Sequence, residues 1–255
     1  MSFSNKVVIV TGASSGIGAA TAVLFAKEGA HVVMVGRNES KLSTVAEQCA
    51  SNGHTPLVVK ADVANDDDVK RIVDETIENF GKIDVVVNNA GIGLFGGTLS
   101  DSALKVYDEV MAVNVRAVYL LTTLTVPHLI QTKGNIVNIS SIAGKKPLSR
   151  NYLSYGISKA ALDHFTRGVA LELASMGVRV NEVSPGPVKT DFLDNAGMTG
   201  VSWDNMGSIV PLKRYSEPEE VAEVVLFLAS DKAKGITGSD FVTDNGGLLE
   251  YNVAQ

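Results

Sequence analysis

Residues 6–28 read KVVIVTGASSGIGAATAVLFAKE, and this stretch sets the fold class. Residues 6–11 form an apolar, β-branched run with the length of a buried strand. Residues 17–28 carry apolar side chains at helical spacing and stop before Gly29. Between them lies Thr11-Gly12-Ala13-Ser14-Ser15-Gly16-Ile17-Gly18, a turn with G-x-x-x-G-x-G spacing. Glycines let the backbone bend tightly and approach a ligand, and the open N–H groups of a following helix favour negative charge. A purely structural turn has the same composition. A strand before it and an amphipathic helix after it, however, are the setting in which a dinucleotide pyrophosphate binds.

Strand-like and helix-like segments alternate outward from this unit. Strands are expected over 31–35, 57–60, 83–87, 136–139, 178–183 and 240–243. Helices are expected over 39–51, 65–80, 100–131 (with a kink at Pro127), 155–176 and 218–230, the last with proline in its first turn. Such alternation implies an α/β fold, a doubly wound and mostly parallel sheet with helices on both faces. No linker, repeat or low-complexity tract divides the 255 residues, so one domain is expected over 1–255.

Hydrophobic residues make up 45% and charged residues 20%, a balance that excludes a disordered chain. A net charge of −6, with no basic run interleaved with aromatics, gives no electrostatic reason to bind nucleic acid or an anionic membrane. No apolar run approaches the roughly 20 residues of a bilayer span. The opening MSFSNKVVIVTG goes almost directly into a strand without a signal-peptide core, so a cytoplasmic protein is expected. The lone cysteine, Cys49, fits a reducing compartment. His31, His54, His128 and His164 show no metal-ligand spacing, and no metal is expected.

The chemistry-bearing residues fall at strand ends. Arg37 and Asn38 follow the second strand where a NAD-binding fold usually places an acid; a guanidinium there suits a 2′-phosphate, with Asn38 or Ser14 adding hydrogen bonds. A solvated loop arginine is the alternative. Asp62 and Val63 follow the third strand, where Asp62 can accept from an adenine amino group or cap the next helix. The fourth strand ends in Asn88-Asn89-Ala90-Gly91, small residues that let a flat cofactor lie against the backbone. Asn114 is a polar residue among apolar helical neighbours, explained most simply by a hydrogen bond to an adjacent strand. Further on, Tyr155 and Lys159 are four apart on one helix face. A nearby ammonium favours phenolate, which predicts a phenol pKa lowered towards neutrality. Ser141, at the end of the strand before, can hold the oxygen that is protonated.

This ordered set resembles the short-chain dehydrogenase/reductase family in its compact single-domain form. The resemblance rests on TGASSGIG at 11–18, NNAG at 88–91, Asn114, Ser141, YGISK at 155–159, and Pro185-Gly186 with Thr190. It implies a Rossmann-type sheet, with Tyr155 as general acid/base and Lys159 as the residue that tunes it and binds the nicotinamide ribose. Ser141 would anchor the carbonyl oxygen, and Asn114 would hold a relay water. Asn89, Ala90, Gly91 and the 185–190 segment, through Val188 and Thr190, would line the cofactor. The spacing from Ser141 to Tyr155 is slightly longer than the family's.

The implied reaction is reversible hydride transfer between a nicotinamide and a carbonyl or secondary alcohol. NADP(H) is favoured by Arg37, with NAD(H) possible, and the reductive direction follows that preference. The segment 191–214 is expected to bind substrate or act as a lid. Together with the loops after Gly91 and Ser141 it contributes Leu94, Phe95, Leu148, Tyr152, Phe192, Leu193, Met198, Trp203 and Met206 to an apolar pocket or to simple packing. A lipophilic ketone or alcohol is expected: a steroid, terpenoid, 3-oxoacyl or xenobiotic carbonyl. The family also implies a homo-oligomer, commonly a tetramer, through the helices near 100–131 and 155–176 and the tail 246–255. The alternatives are a NAD-dependent alcohol dehydrogenase of the same family and, in another class, a non-catalytic dinucleotide-binding sensor or scaffold.

Overall fold

β1 (Val7–Thr11) places Val8 and Val10 on one face of the sheet and Ile9 with Val7 on the other, and all are buried. Alternation with no polar side is what a strand covered on both faces requires. The computed structural model describes residues 2–197 and 202–249. It contains a seven-stranded sheet in the order β3-β2-β1-β4-β5-β6-β7. The remaining strands are β2 (His31–Gly36), β3 (Leu57–Lys60), β4 (Val85–Asn88), β5 (Asn135–Ile139), β6 (Arg179–Pro185) and β7 (Asp240–Thr243). Every pairing is parallel.

One face is covered by α1 (Gly16–Lys27), α2 (Glu39–Asn52) and a C-terminal helix over Pro218–Ala229, through Phe25, Leu42, Cys49, Val221 and Leu228. The other is covered by α3 (Asp66–Phe80) and two longer helices, through Ile72, Leu121, Leu129 and Leu173. Each fully buried Leu, Ile or Phe contributes about 1.5–3 kcal/mol, so these two layers hold the sheet.

The expected boundaries hold within a few residues where periodicity is strong. α3 ends on Gly81 in the left-handed region (φ 70°), whose N–H closes the last turn on the Ile77 carbonyl. The helix expected over 100–131 is built differently from its sequence pattern. It runs as α4 (Ala103–Met111), a π-helical turn (Ala112–Arg116) and α5 (Ala117–Thr132), which continues through Pro127. The irregularity thus lies at the π turn. The joined helix Ala103–Thr132 has the length and apolar content of a bilayer span, against the expectation of no such run. Part of its apolar surface, including Val110, Ala117 and Leu121, faces the core, while Leu104 and Tyr119 are exposed. α6 (Leu153–Leu173) starts two residues before Tyr155 and passes into a 3-10 turn at Ala174–Met176. Two short helices went unread in the sequence, α7 (Phe192–Asn195) and α8 (Trp203–Ser208); the C-terminal helix is therefore α9.

Candidate active site

β1 and β4 are neighbours where the strand order reverses, so the chain leaves their carboxyl ends in opposite directions and opens a crevice. The Thr11 hydroxyl accepts from the backbone N–H groups of Asn89 (3.0 Å) and Ala90 (3.1 Å). Asn89 returns the contact, its amide donating to the carbonyls of Thr11 (2.9 Å) and Gly12 (3.2 Å). Gly12 has φ +67°, and a β-carbon on it would lie 2.8 Å from Asn89 Nδ2. Gly18 lies outside the crevice lining; its own β-carbon would sit 2.2 Å from the Gly12 carbonyl oxygen, so its role is close packing of turn on helix. Ser15 stands at the N-cap of α1 without capping it. Nearby, the Lys41 ammonium and, to a lesser extent, the Ser15 hydroxyl hold the Asp191 carboxyl below its usual range. An uncapped helix start above a glycine floor fits a pyrophosphate.

The crevice encloses about 780 Å³ and runs from the adenosine side to α8. Ser14, Ser15, Gly16 and Ile17 line it, as do Arg37, Asp62 and Val63. Arg37 is largely exposed, with its guanidinium 3.7 Å from the Asp62 carboxylate. Asp62 is not the cap of α3: Asn65 caps that helix, and Asp62 accepts from Ala64 N at 3.0 Å. Asn38 caps α2 by accepting from Lys41 N at 3.1 Å, and it too lies outside the crevice lining.

Further along, Asn89, Ala90 and Gly91 meet Ser141, Tyr155 and Lys159 across the same crevice, with Pro185, Gly186, Val188 and Thr190 on the third side. Val188 is bridged to Ser216, which fixes the 185–190 segment at the edge of the sheet. Lys159 is buried (4% exposed), donates to the Ile139 carbonyl at 2.8 Å, and lies 5.5 Å from the centroid of the Tyr155 ring. Ser141 Oγ accepts from Ala143 N at 3.1 Å, which leaves its own O–H to donate into the crevice that it lines with Tyr155. Neighbouring Ser140 is committed elsewhere, to the Asp163 carboxylate. Geometry therefore separates the two serines.

Asn114 lies behind this wall, inside the π turn and 1% exposed. Its bonds run to the loop after β4 and to α6, and none goes to a strand. Oδ1 accepts from Ile92 N at 2.8 Å, while Nδ2 donates to Ile92 O (2.9 Å) and Ser158 Oγ (3.0 Å). Both amide hydrogens are used, so its side chain has no donor left for a relay water. A β-carbon on Gly91 would lie 3.4 Å from Asn114 Oδ1 and 3.6 Å from Lys159 Nζ, which shows how closely the three residues meet.

The expected lowering of the Tyr155 pKa is not what the chain produces. Burial pushes the phenol up to about 12, against the Ser141 hydrogen bond that favours phenolate. Burial also pulls the Lys159 ammonium down to about 8, with Asp163 and Glu182 opposing it. Desolvation is the largest cause of both shifts.

On the substrate side, Tyr152 stacks between Tyr155 (centroids 4.6 Å) and Phe95 (5.1 Å), and Phe192 tilts onto Tyr155 at 5.4 Å. Leu148, Leu193, Trp203 and Met206 also line the crevice. Leu94 does not; in that irregular loop its neighbours Ile92 and Phe95 take the inward positions. Met198 lies outside the described residues, as does the tail beyond 249.

Several contributors went unread in the sequence. Lys41 reaches Asp191 across 150 residues at 2.6 Å, a pair no local pattern announces. Ser158, inside YGISK, was readable as a helix-face neighbour of Tyr155 but carried no reason to meet Asn114. The Ile139 carbonyl has no side-chain signature at all.

The family model described as enoyl-(acyl carrier protein) reductase matches residues 12–247. A glucose 1-dehydrogenase of Gluconobacter oxydans is 39% identical over 98% of this chain and 94% of its own. A 3-oxoacyl-[acyl-carrier-protein] reductase of Synechocystis is 38% identical over 96% of this chain and 97% of its own. Among solved structures, a short-chain dehydrogenase/reductase of unknown function from Caenorhabditis elegans, determined with cofactor, superposes with a TM-score of 0.94. It shares 39% identity and covers 99% of this chain and 98% of its own.

Proposed function

The chain belongs to the short-chain dehydrogenase/reductase family, and from that premise we propose that it is an NADP(H)-preferring reductase of a lipophilic ketone. The observation that carries this reading is the meeting of buried Ser141, Tyr155 and Lys159 in one crevice, at the carboxyl edge of a parallel sheet and facing a glycine cradle. When bound, the dinucleotide supplies the hydride. Gly12, the open N-terminus of α1, Asn89 to Gly91 and the 185–190 segment would hold it, with Arg37 at its 2′-phosphate.

The chain's own residues supply the proton and hold the reacting oxygen. With its pKa raised, Tyr155 keeps its phenolic proton at neutral pH and so serves as an acid towards a developing alkoxide. The Ser141 O–H, not used in its bond from Ala143 N, would donate to the same substrate oxygen and strengthen as charge builds there. Lys159 keeps its ammonium below pH about 8, and that charge stabilises the phenolate once the proton has left. The aromatic wall of Phe95, Tyr152 and Phe192 excludes water and favours an apolar substrate body.

The NADP(H) preference is supported by Arg37 in the crevice wall and by the absence of an acid at 36–38. A 3-oxoacyl substrate is supported by the Synechocystis relative. A cytoplasmic homotetramer is part of the same proposal, supported by exposed apolar side chains on α4 to α6, among them Leu104, Tyr119, Ile157 and Leu171. The test is a spectrophotometric screen of ketones and alcohols with NADPH and NADH. Turnover of lipophilic ketones, faster with NADPH, is expected. Cofactor binding with no turnover on any carbonyl would favour the sensor alternative, and equal or faster rates with NADH would favour the NAD-dependent one.

A further inference from the structure

Tyr152 carries a buried hydroxyl with no hydrogen-bond partner among the described residues. Several other buried side-chain atoms among the described residues also lack a partner, but Tyr152 is the one among them that lines the crevice. The residue is the N-cap of α6, three before Tyr155, and its ring lies nearly parallel to the Tyr155 ring, at 28°. Its oxygen presses on Gly93: a β-carbon built there would lie 1.9 Å from it and 2.6 Å from Cζ of Phe192. The chain thus keeps glycine where any side chain would displace this phenol, and covers the oxygen with a ring from the first turn of the substrate segment. A phenylalanine would fill the same stack without a stranded polar group, and would be the more stable choice. Burial and the neighbouring Tyr155 hold the phenol well above its ordinary pKa, so it remains a neutral donor throughout the physiological range.

We infer that Tyr152 is a specificity-determining residue whose hydroxyl donates to a second oxygen of the substrate, a few bonds from the carbonyl that Tyr155 protonates. This rests on the reductase reading above and narrows its substrate to carbonyl compounds bearing a neighbouring hydroxyl or second carbonyl. Ring spacing supports the geometry: with centroids 4.6 Å apart, the two stacked phenols suit two oxygens on one short carbon chain. Phe192 must turn aside to admit the second oxygen, which the short helix it begins can allow without disturbing the sheet.

The test compares Tyr152→Phe with the unaltered enzyme on matched pairs, 2-hydroxycyclohexanone with cyclohexanone and a 3-oxoacyl ester with its 3-keto hydrocarbon analogue. The ratio of kcat/KM for the oxygenated member over the plain one should fall about tenfold, the worth of one hydrogen bond in a dry site. The ligand-free Tm of Tyr152→Phe should equal or exceed that of the parent, because the hydroxyl has no partner to lose. An unchanged ratio, with both members slowed alike, would show that the ring only packs, and would overturn this inference while leaving the reductase reading intact. A lowered Tm would also overturn it by revealing a structural bond. Parent enzyme inert on every carbonyl would remove the reductase reading and this inference together.

Discussion

Lys159 donates from its ammonium to the Ile139 carbonyl at 2.8 Å, tying the helix that bears Tyr155 to the strand that ends beside Ser141. The acid and the oxygen anchor therefore share one brace. Because that brace is a buried cation, its charge is the group most exposed to pH.

The ammonium is held down to about 8 by burial, whereas the phenol is held up to about 12. Below pH 8 both groups carry their protons; as pH rises through 8, Lys159 loses its charge first. The kcat/KM for reduction should therefore have an alkaline limb near pH 8 that reports the lysine. Asp163 helps keep the ammonium charged, so Asp163→Asn should move that limb to lower pH. A limb at or above pH 10 in a pH–rate profile would exclude this assignment.

Tyr155→Phe removes the proton donor and leaves the ring stack in place. Turnover should drop by about 10²–10⁴-fold, with the dissociation constant for NADPH, read by fluorescence quenching, changed little. Loss of cofactor affinity in step with turnover would mean that the phenol positions the cofactor and is not the acid.

Arg37→Ala should raise the KM for NADPH by about 10- to 100-fold, the range for one charged hydrogen bond. The KM for NADH should stay nearly constant. Asp62, now 3.7 Å from the guanidinium, would be left without that partner, but both groups are exposed and little stability should follow. Parallel changes in both KM values would rule out a 2′-phosphate role.

Asn114→Leu would remove the partner of the half-buried Ile92 N–H and C=O and of the buried Ser158 hydroxyl. Each unpaired buried group costs about 1–3 kcal/mol, so the Tm should fall by several degrees. Activity should fall further than stability alone explains, because Gly91 of the crevice wall packs close to the same amide. Thermal unfolding beside kcat at low temperature separates the two effects, and a variant with the parent's Tm would show that Ile92 finds other partners.

Much of this molecule could be read before any coordinates. The strand–turn–helix at 6–28 and the YGISK helix announced themselves because buried strands and helix faces leave periodic traces. Burial depth leaves none. The i, i+4 spacing of Tyr155 and Lys159 was legible, but the desolvation that moves their pKa values apart was not. The short helices at Phe192–Asn195 and Trp203–Ser208 contain too few turns to show a period. Leu94 was misplaced because an irregular loop gives no rule for which neighbour turns inward, and the π turn around Asn114 has the same composition as the helix on either side.

That widened turn makes the helix over Ala103–Thr132 sensitive to length as well as to identity. Adding one residue within the α-helical turns before Ala117 would rotate everything downstream by about 100°. Leu121 and Leu129 would swing out of the interior together. Anyone grafting this segment between relatives, or trimming it for a smaller scaffold, must conserve its residue count before worrying about its letters.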